Sequence, residues 1–115
     1  MNEIIKKTEE LAKLLEQSIE YRAYTEAREA AFKSESTGAL LREYRRLQAK
    51  LQAAELSGGA DADELAKLQK LGELLQLDDA AGEYLFAQFR LNALIGDIYK
   101  RLAKAVDADL SFIDD

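Results

Sequence analysis

Cysteine and histidine are both absent from this 115-residue sequence. Their absence removes disulfides, thiol nucleophiles, and the imidazole groups of most zinc and acid–base sites. Proline is missing too, and glycine occurs only six times, so little interrupts a helix. Valine appears once, at Val106, which leaves strands with little to be made of. There is no uninterrupted apolar run at the start. The stretch MNEIIKKTEELAKLLEQ mixes charge into every turn, unlike a signal peptide or a membrane span. No calcium loop of the EF-hand type occurs. Positive charge is in deficit: 16 Lys and Arg stand against 22 Asp and Glu, a net −6. Proteins that wrap nucleic acid usually carry the opposite balance. These absences fit a soluble cytoplasmic protein without a membrane partner.

What remains is helix-forming. Leu, Ala, Glu, Lys, Gln and Arg dominate, and 48% of the residues are apolar, enough for the core of one domain. No internal repeat and no long linker divides the chain, so residues 1–115 read as a single all-α domain.

Five helices follow from the apolar spacing and the breaks. The first covers residues 3–17, with Ile4, Thr8, Leu11 and Leu15 on one face. Ser18 is the cap of a second, which runs to about residue 33 with Tyr21, Tyr24, Ala27, Arg28 and Ala31 along one side. Ser34, Ser36 or Thr37 starts the third, which reaches about residue 56. Its Leu40, Tyr44, Leu47, Leu51 and Ala54 recur like a coiled-coil seam. The loop SGGAD then turns the chain back into an antiparallel fourth helix, capped at Asp61 and ending near residue 76. Leu65, Leu68, Leu71 and Leu75 form its apolar face. Asp78 or Asp79 caps the fifth helix, residues 80–106, whose apolar arc spans Tyr84, Leu85, Leu91, Asn92, Ile95, Ile98, Tyr99, Leu102, Ala103 and Val106. The tail holds Leu110, Phe112 and Ile113, with a dock-or-fray character.

No catalytic constellation emerges. Carboxylates are numerous, but they are spaced like solvated faces and caps. Without histidine the inward Glu-x-x-His pairs of a di-iron bundle cannot form. Catalytic residues, metal ligands and cofactors are therefore expected to be none, and a small enzyme is the weakest of three readings.

Two groups of residues point to binding. On the fifth helix, Tyr84, Phe86, Phe89, Asn92, Ile95 and Tyr99 are candidates for an interface. That helix is long, and its apolar arc exceeds what one short hairpin covers, so a second copy is the economical way to bury the surplus. Asn92 then reads as an amide hydrogen-bonded inside a helix interface, the kind that sets register. Phe86 and Phe89 form a patch for another subunit or for the second helix. On the third helix, Arg42, Arg45, Arg46 and Lys50 form a basic stripe. It is either a solvated face or a docking stripe for an acidic partner or RNA phosphates. No aromatic side chain interleaves it for base stacking, which weakens the RNA version.

The order of parts resembles the YlbF/YmcA (Com_YlbF) family of small bacterial helical proteins. Carrying the likeness are Tyr21 and Tyr24, the run Leu41-x-x-Tyr44-x-x-Leu47-Gln48, the pair Tyr84-Leu85, and Leu91-Asn92 with the apolar residues that follow. It covers about residues 4–106. The resemblance implies an all-helical, non-enzymatic regulator that forms dimers or higher oligomers. It also implies action through protein complexes, including a ribonuclease-associated one, in competence, biofilm formation and sporulation. An RNA-binding accessory using the 42–50 stripe is the alternative. The sequence departs from the family in lacking proline at the starts of the third and fifth helices. It also lacks the cysteines with which some members hold an iron–sulfur cluster.

Overall fold

The computed structural model describes residues 2–59 and 61–107. It contains five helices: α1 (Asn2–Glu16), α2 (Ile19–Lys33), α3 (Glu35–Leu56), α4 (Ala62–Leu77) and α5 (Asp79–Val106). No strand occurs among the described residues. The expected tail residues Leu110, Phe112 and Ile113 lie outside them. The all-α, five-helix reading holds, with boundaries close to those expected.

Each break between helices has a chemical cause. Ser18 accepts a hydrogen bond from the Tyr21 amide at 3.1 Å, which starts α2. Of the three candidates for the start of α3, Ser34 is the cap, accepting from the Thr37 amide at 3.3 Å. After α3, Gly58 and Gly59 take φ values of 117° and 141°, a region that side chains disfavour. The Gly59 amide reaches back to the Ala54 carbonyl at 2.9 Å, closing the helix end. Asp61 caps α4 by accepting from the Asp63 amide at 2.9 Å. Asp78 caps α5 by accepting from the Ala81 amide at 3.1 Å.

The chain divides into two compact units whose boundaries fall inside α2 and α5. One, Ala27–Tyr84, contains the α3/α4 hairpin. Its core is Ala31, Leu41, Leu47, Leu51, Leu75, Ala81 and Tyr84. The expected α3 seam is partly corrected here. Leu47 and Leu51 are buried, but in the first half of the helix the buried positions are Thr37, Gly38 and Leu41, with Leu40 half-buried. The reason is local: a Cβ at Gly38 would lie 3.1 Å from the Phe32 ring, and Thr37 bonds to Asp78, so small residues are covered at this end of α3. In α4, Leu75 is fully buried while Leu65 is exposed.

A polar latch joins three elements of this unit. Thr37, itself buried, donates its hydroxyl to Asp78 Oδ2 at 2.6 Å. That bond, and the Ala81 and Ala80 amides, hold the Asp78 carboxyl below its usual range. Nearby, the edge of Phe32 meets Tyr84 with ring centroids 5.8 Å apart, a favourable T-shaped geometry.

The other unit combines α1 and Ile19–Glu26 with the residues of α5 from Leu85 on. Among its described residues only Ala87 and Leu91 are buried. No residue of α1 is buried.

Leu75→Ala should cost about 2–5 kcal/mol, as for other fully buried leucines, read as a shifted urea midpoint. Thr37→Val should raise the Asp78 pKa in an NMR titration. Because that pKa is depressed in the folded state, the latch stabilises above the unfolded-state value and is lost as pH falls through the folded one. The stability gap between wild type and Asp78→Asn should therefore narrow in acid.

Candidate interaction surfaces

The basic stripe of α3 is occupied within its own unit. Arg45 donates to the Tyr84 hydroxyl, and its guanidinium lies 5.3 Å from the centre of that ring. Arg42 sits 6.0 Å from the Phe32 centroid, a cation–π distance. Arg46 grips Glu43 through two nitrogens, at 2.6 and 3.0 Å. This pairing pulls the Glu43 pKa down and pushes the Arg46 pKa up. Lys50 meets Glu64 of α4 at 2.9 Å. Glu64, three residues after the Asp61 cap, thereby ties the hairpin together. All four cations thus face an aromatic ring or a carboxylate.

The α5 candidates separate into different environments. Tyr84 is only 1% exposed and works inside the Ala27–Tyr84 unit, bonded to Arg45 and packed on Phe32. It offers no free surface to another subunit. Ile95 is half-buried and Asn92 is exposed. The inward line of α5 is Ala81, Tyr84, Ala87 and Leu91. Asn92, one residue beyond Leu91, is turned about 100° away from it. The expected arc is therefore rotated: alanines carry part of the inward line, and Asn92 sits at its outer flank. Phe86 and Phe89, at 62% and 70% exposed, face outward, with Arg90 6.0 Å from the Phe86 ring centre. Tyr99 is exposed as well.

A second uncovered apolar surface belongs to the same unit as these phenylalanines. On α1, Ile4, Ile5, Leu11 and Leu14 are all exposed. Ile4, Thr8 and Leu11 line an open groove with Leu102, and Glu3 and Lys7 sit at its rim. The N-terminal helix was read as amphipathic, but its lack of any internal cover was not foreseen. Its signal was visible: an apolar face on a helix whose neighbours carry mostly small or polar residues.

Among the described residues, no three His, Cys, Asp or Glu gather to hold a metal, and no helix is long and apolar enough to cross a membrane.

Comparison with known proteins adds a family. Residues 4–107 match the Com_YlbF family model, described as control of competence regulator ComK, YlbF/YmcA. A UPF0342 protein of Symbiobacterium thermophilum is 34% identical over 103 residues, covering 89% of this chain and 92% of that one. A UPF0342 protein of Clostridium novyi is 30% identical over 112 residues, covering 96% of each. Two solved structures share the fold at 17% identity. A protein of unknown function (DUF964) from Bacillus stearothermophilus superposes with a TM-score of 0.80 over 90% of this chain and 92% of its own. Bacillus subtilis RicA, solved in complex with RicF, gives 0.63 over 91% and 94%.

The partners of the α3 cations make a sharp contrast testable. Arg45→Ala should destabilise the chain by roughly 1–2 kcal/mol, since it removes a cation–π contact and a hydrogen bond to a charged group. Arg46→Ala should leave the melting temperature nearly unchanged, because its pair with Glu43 is exposed. Equal effects in a thermal melt would contradict the division drawn above.

Proposed function

We propose that this protein, which belongs to the YlbF/YmcA family of competence regulators, acts by binding other proteins and performs no chemistry of its own. The observation that carries this reading is the apolar surface of the unit built from α1 and most of α5. Ile4, Leu14, Phe86 and Phe89 are each more than half exposed. Large apolar side chains left exposed in this number mark interaction sites. A related fold crystallised as a complex of two different proteins, RicA with RicF, fits the same reading.

The protein is a regulatory or scaffolding component in the cytoplasm. It forms a homo-oligomer, a dimer or larger, and joins a protein partner in a ribonuclease-associated complex. Through that complex it influences mRNA processing and, with it, competence, biofilm formation and sporulation. Interface roles go to Phe86, Phe89, Asn92, Ile95 and Tyr99. The alternative, RNA held by Arg42, Arg45, Arg46 and Lys50, is disfavoured because those cations already face Phe32, Tyr84, Glu43 and Glu64.

Light scattering at micromolar concentration should give at least twice the chain mass. Affinity purification from the native host should recover components of an mRNA-processing complex. A monodisperse monomer that copurifies with none of them would overturn the reading. In the same samples, RNA affinity should be weak. Tight binding that falls steeply with salt and is lost in Arg42→Ala/Arg46→Ala would instead establish the RNA alternative.

A further inference from the structure

The outward side of α5 carries a seam that the inward packing does not use. Phe86, Phe89, Ala93 and Gly96 follow one another at spacings of three, four and three, the repeat of a helix-pairing seam. Phe86, Phe89 and Ala93 are exposed. At Gly96 an added Cβ would meet nothing within 4 Å. The seam is therefore bulky in its first half and hollow in its second.

Charge along the same helix is divided the same way. Residues 79–89 carry Asp79 and Glu83 and no cation, while residues 97–106 carry three cations against one carboxylate, Asp97. A parallel pair of such helices would set phenylalanine on phenylalanine and carboxylate on carboxylate. An antiparallel pair sets phenylalanine into the hollow and the acidic end against the basic end.

We infer that the Phe86–Phe89–Ala93–Gly96 seam pairs antiparallel with the same seam of a second copy of this chain. This rests on the homo-oligomer reading above and names its surface. The pairing that seats Phe86 opposite Gly96 of the second copy also seats Phe89 opposite its Ala93. Both place the two-fold axis at residue 91. Asn92 flanks the seam beside that axis, so its two copies face each other and can exchange amide hydrogen bonds. The amide that is exposed in one chain acquires a partner only in the pair. Burial of two phenylalanines per chain supplies the apolar gain, and the opposed charges select orientation.

The absence of cysteine makes the geometry directly testable in the full chain. Under mild oxidation, Asn92→Cys should form a disulfide-linked dimer efficiently, whereas Lys104→Cys should link to itself at least tenfold less. Phe86→Glu/Phe89→Glu should reduce the mass seen by light scattering to that of one chain while circular dichroism stays helical. If that variant fails to fold, Gly96→Phe fills the hollow instead and should give the same loss of mass. Self-linking at Lys104→Cys as ready as at Asn92→Cys would overturn the antiparallel arrangement. A folded seam variant that keeps the wild-type mass would overturn the seam and leave the oligomer reading standing. A wild-type monomer would remove both.

Discussion

One carboxylate, that of Asp78, organises the junction where α3, α4 and α5 meet. Its backbone amide closes the last turn of α4 on the Leu75 carbonyl at 3.1 Å. One side-chain oxygen opens α5 at Ala81, and the other receives the hydroxyl of Thr37 from the first turn of α3. The sharp turn between α4 and α5 therefore needs no proline or glycine. With these contacts made, the rotation of α5 about its axis is set at its first residue. Ala81 and Tyr84 then fall inward, and Tyr84 reaches Phe32 and Arg45. Remove the carboxylate, and a helix start and a buried hydroxyl lose their partner at once. That concentration of dependence explains why a short polar contact governs an otherwise apolar unit.

The two units differ in how much large apolar side chain they close off. In Ala27–Tyr84, Leu41, Leu75 and Tyr84 are closed off and the four α3 cations are matched to rings or carboxylates, while Leu56 and Leu77 at the helix ends stand exposed. In the other unit Leu91 is the large side chain that is buried, and Ile4, Leu14, Phe86 and Phe89 stand outside. Burying surface is the main favourable term in both folding and association. Apolar area left open by folding is the area available to a partner. The division of labour thus follows from where each unit spends its leucines, isoleucines and phenylalanines.

Much of this was legible in the sequence. Helix number and boundaries followed from spacing together with Ser18, Asp61, Asp78 and the Gly58–Gly59 turn, because caps and turns are local chemistry. The pairing of α3 with α4 followed from the short loop between them. Three things were not readable. Thr37 and Asp78 are 41 positions apart, and Arg45 and Tyr84 are 39 apart; nothing local announces such partners. The inward line of α5 includes Ala81 and Ala87, which weigh little in any apolar pattern, so the arc looked centred on larger residues and took in Asn92. The α3 seam was read from apolar spacing, which gave no weight to Thr37 and Gly38, buried beside Asp78 and Phe32.

The rotation of α5 also decides how its length can be used. A helix of 28 residues spans about 42 Å at 1.5 Å per residue. Since its start is fixed by Asp78 and its inward line is narrow, the opposite side keeps one direction along a continuous element. A partner meeting that side finds phenylalanines, a gap at Gly96 and a charge gradient in one register rather than scattered on mobile loops. Preorganised surface of this kind loses little conformational entropy on binding.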